Sequence, residues 1–577
     1  MNKKMKRTLA TLAISTAMLT TAAFPAWASE TASVVTTAAA STVSYTLTDS
    51  LQVEVKSLFK EHNSDSTKLG AVIRMKNTSG KVTRVPDYEL RIRTADGVEY
   101  VLQPSTKNAK AIQPKSDQEL SYMSTVDGAD DVAIASVSFV DVDLDVYPKQ
   151  ETNLLTITAD ADMVWNGSDS SVTKSSALLK WGEPFALPSL HSPIQFVPVD
   201  IHKEITTKGV NMVVQIQAVN PTNERQSVPA FGIDGKTDSK VYPGNRAESK
   251  VTLEAGEKKY VHIVIPTELD TEFNSLNVVT EENFASANGD EAYRVGRVNI
   301  LLPAGALAQG VIPAPQYTLG TPVKLDSTNN FVPANVDVSL EELHITSNED
   351  DGFQTAVAKF KLTNNSDRPI PIPAIQTELI SKDGYAYVGS RQAQTALTVV
   401  PKASYVVSYA FALPSSETGE GLRLNLYSKQ TNGDTTYKSL LATAKVPVQK
   451  DDLTSDELKL YPYDVKINNW SLSGIFLGTL SYNYKLKLDL MITADKQVTA
   501  DVFNNKLLFE LYDKAGSLIG SSIQPISGTG RLYDGTNTID MNAHSSQLDY
   551  PITVKVYEVF TGELGEQQKR LLTTFSQ

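Results

Sequence analysis

The sequence predicts an all-β protein, four tandem β-sandwich domains in an elongated array behind an N-terminal signal peptide. Three observations carry that expectation. The N-terminus is basic and then apolar, one period-two strand returns four times before a polar turn, and other turn residues recur at fixed distances from each return.

The N-terminus opens with Lys3, Lys4, Lys6 and Arg7, continues through an Ala/Leu/Thr-rich stretch from Thr8 to Phe24, and reaches Ala26-Trp27-Ala28. That order is the signature of a secretory signal cleaved between Ala28 and Ser29. The apolar run is rich in Thr and Ser and short of the roughly 20 apolar residues that a membrane span needs, so the mature chain is expected to carry no span.

The chain holds no cysteine, which excludes disulfides and thiolate metal sites, and with them a lipid anchor at the cleavage point. Each domain must therefore be held by core burial alone, which calls for domains of about 100 residues or more. The formal charge is −13, and the signal peptide contributes +4, so the mature protein is near −13 − 4 = −17. Such a balance speaks against a nucleic-acid partner, which needs a basic stripe, and against direct attraction to anionic membranes or wall polymers.

The repeat appears once strands are placed in register. Ala71, Ile73 and Met75 alternate with Arg74 and Lys76 and end at Asn77-Thr-Ser-Gly80. The same pattern returns as Val214, Ile216, Ala218 before Asn220, as Ala358, Phe360, Leu362 before Asn364, and as Leu488, Leu490, Ile492 before Ala494. These anchors, 77, 220, 364 and 494, are 143, 144 and 130 residues apart. Period two followed by a turn reads as a half-buried strand.

Nine residues past the anchor stand Pro86, Pro229 and Pro373, with Phe503 in the fourth copy, expected at a strand start where proline costs no ladder bond. Nineteen residues past it stand Asp96-Gly97 and Asp383-Gly384, with Asp513-Lys-Ala-Gly516 in the fourth copy, as hairpin turns. Pro114-Lys115, Gly256-Glu257 and Pro401-Lys402 open the next strand pair. Trp181-Gly-Glu-Pro-Phe-Ala-Leu187 matches Leu319-Gly-Thr-Pro-Val-Lys-Leu325 as an opening strand, and closing strands lie near Leu154, Val295, Leu440 and Leu571. Short strands, frequent turns and no helical period fit β-sandwiches.

The expected boundaries are 1–28 for the signal peptide, 29–42 for a flexible Ser/Thr/Ala lead-in, then domains at 43–159, 178–302, 316–448 and 457–577. The intervening segments are short, so limited bending between domains is expected.

With those motifs in place, the chain resembles exported Gram-positive proteins with tandem Ig-like, telokin-like domains of unassigned function. The resemblance covers all four units and is weakest in the last. Its motifs are turns and strand starts, so it implies a fold and an extracellular or envelope-associated interaction protein, and no catalytic residues. The chain departs from such relatives in having no lipoprotein Cys, no wall-sorting tail and no surface-layer homology motif.

No catalytic constellation stands out. His62, His191, His202, His262, His344 and His544 show no metal-ligand spacing and no Gly-x-Ser-x-Gly elbow. His202 and His344 occupy comparable positions early in their units, which suggests a shared structural or surface role. The acidic loops Asp127-Gly-Ala-Asp-Asp131 and Asn348-Glu-Asp-Asp-Gly352 could offer oxygens to calcium, but neither has EF-hand spacing and an acidic turn is the simpler reading. Asp141, Asp143 and Asp145 share one strand face, read as an exposed face or a protected edge. In the fourth unit Tyr461, Tyr463 and Trp470 are the candidate sugar-stacking rings, whereas Tyr482 and Tyr484 continue an apolar face and read as core.

The expectation is a secreted protein with no catalytic, cofactor or metal site, held at the cell wall or released. Its repeats would act as spacer and protein-interaction modules toward an envelope or extracellular partner. The alternative is a carbohydrate-binding protein for wall or environmental polysaccharide, acting through the aromatic-rich fourth domain.

Overall fold

A computed structural model describes residues 43–577 except 63–65, 128–131, 161–162, 168–169, 171, 173, 207, 288, 306–312, 329, 349–351, 434, 477–481, 502–503 and 546–549. The expected signal peptide and its cleavage point lie outside the described residues, as do most of the two acidic loops weighed for calcium. Among the described residues nearly all regular structure is strand, and no helix is long and apolar enough to cross a membrane.

Five strands recur in every domain. In the first they are β1 (Leu51–His62), β2 (Ser66–Asn77), β3 (Asp117–Asp127), β4 (Ile134–Asp143) and β5 (Gln150–Thr158). In the second they are β6 (Gln195–Thr206), β7 (Gly209–Val219), β8 (Lys258–Thr267), β9 (Ser275–Ser286) and β10 (Gly289–Leu301). The third has β11 (Val336–Asn348), β12 (Phe353–Asn364), β13 (Ser404–Pro414), β14 (Arg423–Asn432) and β15 (Thr435–Lys445). The fourth has β16 (Tyr463–Phe476), β17 (Tyr482–Ala494), β18 (Gly535–Ser545), β19 (Thr553–Thr561) and β20 (Gln567–Ser576). The first three strands of each set pair antiparallel in one layer and the last two form a hairpin in the other. In the first domain the layers are joined, because strand Glu99–Pro104 pairs with both β3 and Glu89–Thr94.

The period-two alternation places the core as the sequence suggested. Leu69, Ala71, Ile73 and Met75 on β2 face Leu90, Ile92, Val137 and Phe139 across the first sandwich. Equivalent clusters fill the other three domains.

The anchor asparagine explains why the turn recurs. Asn77, Asn220 and Asn364 are completely buried. Each amide donates to the carbonyl four residues on (Lys81, Glu224, Arg368, all at 2.7 Å) and to a carbonyl across the layer gap (Ile112, Leu253, Val399). Each side-chain oxygen accepts from the backbone and hydroxyl of the Ser or Thr two residues on. Asn is one of the few side chains that can both donate and accept there. The fourth copy has Ala494-Asp495 instead, and its turn closes locally, the Gln497 amide donating to the Asp495 carboxylate.

Two details differ from the sequence reading. The prolines do not start a strand; they end a two-residue strand pair, and the residue before each one bonds across the pair (Val85 to Lys110, Val228 to Val251, Ile372 to Leu397). The later turn aligns on Lys115, Gly256 and Lys402, which share a left-handed conformation (φ 57°, 69° and 58°), so the second copy is Ala255-Gly256 rather than Gly256-Glu257. Lysine tolerates a position that favours glycine, and its Nζ donates to the carbonyl just after the anchor, Thr78 or Asn365.

Candidate functional site at the domain junctions

Two backbone irregularities recur in register and set the surfaces that meet between domains. The first strand of each domain carries a β-bulge four residues before the anchor, opposite Ile73, Ile216, Phe360 and Leu490. The hairpin carries another, between Phe139 and Val140, Val278 and Val279, Leu426 and Tyr427, Val556 and Tyr557. A bulge adds twist and re-aims the side chains beyond it. The distal half of the hairpin consequently runs past its own core with its inward-facing parity still directed to protein.

That distal half packs on the outer face of the preceding domain's three-stranded layer. At the first junction Glu282 on β9 meets Lys56 at 3.1 Å and accepts from Ser57. Arg297, bulged out of β10, donates to Glu282, the Ser57 hydroxyl and the Lys56 carbonyl. Burial pushes the Arg297 guanidinium below its ordinary value despite the adjacent Glu282. Phe59 lies 4.2 Å from Tyr293 between ring centroids. Trp165, from the segment between the domains, pairs through the backbone with β1 and covers Gly296, where a Cβ would stand 2.4 Å from the indole.

At the second junction the Gln215 side chain accepts from the Leu440 amide at 2.8 Å. His262 contacts Glu248 at 2.7 Å, and Tyr437 donates to the same carboxylate. His202 contacts Asp200 at 2.7 Å and lies against Tyr427.

The third junction buries the most charge. Lys359 on β12 and Glu558 on β19 are both 0% exposed in their side chains and 2.7 Å apart. Lys359 also meets Glu342 at 3.3 Å and donates to the Tyr461 carbonyl and the Asn505 side chain. Arg570 on β20, equally buried, reaches Glu558 and donates to the Lys459 carbonyl at 2.7 Å. Burial pushes the Glu342 carboxyl up, but the charges of Lys359, Arg570 and His344 outweigh it and hold it at about 2. Asp501 accepts from Thr395 and from the Tyr405 hydroxyl, and Val498–Thr499 extends β13 in parallel. The segment between the domains is stitched down as well, with Gln449 bonded twice to Leu343 and Asp451 at 2.8 Å from His344.

The comparable placement of His202 and His344 proves to be one register position, opposite Val213 and Val357, seven residues before the anchor. Phe59, opposite Gly70, holds it in the first domain. All three side chains are buried facing the next domain. The fourth domain places exposed Ser471 and Lys487 there. Asp141 and Asp143 fall where Thr280 and Glu282, Ser428 and Gln430, and Glu558 and Phe560 stand in the later hairpins. They are exposed, so the stripe read from sequence is the first hairpin's docking parity.

The candidate sugar-stacking rings are otherwise engaged. Trp470 is half-buried against Phe575, 4.3 Å between centroids. Tyr463 packs on the fourth core, and Tyr461 is half-buried beside Glu342 and Lys359, its hydroxyl buried. Tyr484 is core and Tyr482 packs on it, as expected. Among the described residues no three His, Cys, Asp or Glu side chains are grouped to hold a metal.

A scan against protein-family models and a search of curated proteins both find no match to this chain.

Proposed function

We propose that the chain is an exported, non-enzymatic scaffold of the cell surface or its matrix, whose Ig-like domains present interaction surfaces at fixed mutual settings. One observation supports this above the others: three junctions use the same hairpin half on the same sheet face. Buried ion pairs, ring contacts and stitched connecting segments hold them. Such docking turns a string of modules into a body with defined spacing, which is what a spacer between an envelope partner and its surroundings requires. The signal peptide supplies export, and the acidic surface favours a protein partner or a cation-bridged one over direct contact with anionic polymers.

The test is localisation followed by capture. Fractionated cells should yield the protein outside the membrane with Ser29 as its first residue, and cross-linking on intact cells should join it to an envelope or extracellular protein. Cytoplasmic retention of residues 1–28, or a purified protein that turns over substrate, would overturn the reading.

A further inference from the structure

Among the described residues, two large clefts stand at domain junctions and both border the third domain. Between the second and third domains lies a cleft of about 1110 Å³. Ile205, Leu269 and Tyr385 stand on its rim, 71%, 62% and 68% exposed. Its walls also carry the Asp200–His202 pair, Asn425 and Arg423. Between the third and fourth domains lies a second cleft of about 810 Å³, with Gln354, Gln449 and Tyr557 among its walls. One loop borders both, since Glu417 and Thr418 line each of them. Glu417 accepts from the Tyr387 hydroxyl at 3.1 Å, which ties the shared loop to the first cleft's wall.

The chemistry of the walls selects an occupant. Acidic and basic side chains interleave in the first cleft, with Asp200, Glu272, Glu378, Asp383 and Glu417 beside Lys203, Lys382 and Arg423, and Glu378 is already paired with Lys438. The second likewise sets Glu420 and Asp451 beside Lys450, Lys555 and Lys569. Neither cleft carries an excess of cations, so no local field draws a polyanion, and the acidic molecule repels polyanions at range. Carboxylates and a guanidinium can pair with neighbouring hydroxyls, while tyrosine offers an apolar face with a polar tip. Two clefts on either side of one loop suit a long, repeating ligand, and walls fixed by the junction contacts need little ordering on binding.

We propose that this two-part groove binds a neutral polysaccharide as an extended chain, running from the cleft between domains two and three past Glu417–Thr418 into the cleft between domains three and four. The proposal goes beyond the scaffold reading and can fail without touching it.

The experiment uses the full mature chain in affinity electrophoresis and calorimetry. The probes are dextran, hydroxyethylcellulose and laminarin as neutral glycans, with polygalacturonate and a neutral Gly/Pro-rich peptide as comparators. At least one neutral glycan should bind, more tightly as its oligosaccharides lengthen. Tyr385→Ala should weaken binding ~10-fold, about the loss of one stacking contact, with an unchanged melting temperature. Tyr533→Ala, an exposed ring of the fourth domain, should leave binding alone. Thr418→Trp, at an exposed position on the loop that borders both clefts, should abolish the advantage of long chains while short ones still bind. The proposal is overturned if no neutral glycan binds, if only the polyanion or the peptide does, or if Tyr385→Ala and Tyr533→Ala weaken binding equally.

Discussion

Breaking the ion pair between Lys359 and Glu558 should cost far more than replacing it. At 2.7 Å and an effective dielectric near 20, two unit charges attract by about 6 kcal/mol. Desolvating both ions offsets most of that, so the intact pair contributes little net stability. Removing one partner is different, because the other stays buried. Lys359→Met leaves Glu558 and Glu342 to Arg570, with His344 also near Glu342, and about 3–5 kcal/mol should be lost. Glu558→Leu should cost a similar amount, while the double variant should cost no more than either single change. Urea unfolding in a Trp165→Phe/Trp181→Phe background lets Trp470 report the fourth domain. With a slope of about 2 kcal/mol per molar, each single variant should lower the midpoint by about 2 M. Strictly additive effects, or single variants within about 0.5 kcal/mol of the parent, would show that the two charges do not share a buried junction.

Three further outcomes are expected. Glu342 titrates at about 2 when folded against about 4.5 unfolded, so its stabilisation is present above pH 4.5 and is lost as pH falls toward 2. That is about 3 kcal/mol, and Glu342→Gln should flatten the stability–pH curve of the fourth-domain transition below pH 5. Asn220→Ala strands the buried carbonyl of Leu253 and removes the bonds to the carbonyls of Glu224 and Glu254, and should cost the second domain about 3 kcal/mol in chemical unfolding. Asn220→Asp should be no better, since a carboxylate cannot donate to those carbonyls. Gly296→Ala puts a methyl into the indole of Trp165, so tryptophan emission should shift red and about 1–3 kcal/mol should be lost, with faster proteolysis between residues 166 and 176.

The repeat was legible because its determinants are local. An Asn that must donate and accept, a residue forced to positive φ and a period-two core face are each written in one short segment, and Asn77, Asn220 and Asn364 fulfil them identically. The slipped alignment at Gly256 arose because the structural signal there is φ, which Lys115 and Gly256 share without sharing chemistry. The junctions were not legible. Thr280, Ser428 and Glu558 look like solvated strand residues, and only the bulges, invisible to residue type, carry them onto another domain. Lys359 and Arg570 likewise read as surface charges, since part of what buries them is distant in sequence, Glu558 and Asn505 for Lys359, and Glu342 and Lys459 for Arg570. One signal was present in the sequence: His202 and His344 recurred where an exposed position had no reason to repeat. Trp470 was ambiguous for the converse reason, because an aromatic residue in a strand fits a core as well as a sugar, and here it is half-buried against Phe575.

Hydrogen exchange along the four hairpins tests the docking scheme most directly. The distal amides at Glu282–Ala285, Ser428–Gln430 and Glu558–Phe560 should be protected nearly as well as the core amides of the same strands, whereas Asp141–Asp143 on the exposed first hairpin should exchange faster. Equal, rapid exchange in all four distal halves would mean that the domains are independent beads, and the proposed fixed scaffold would be contradicted.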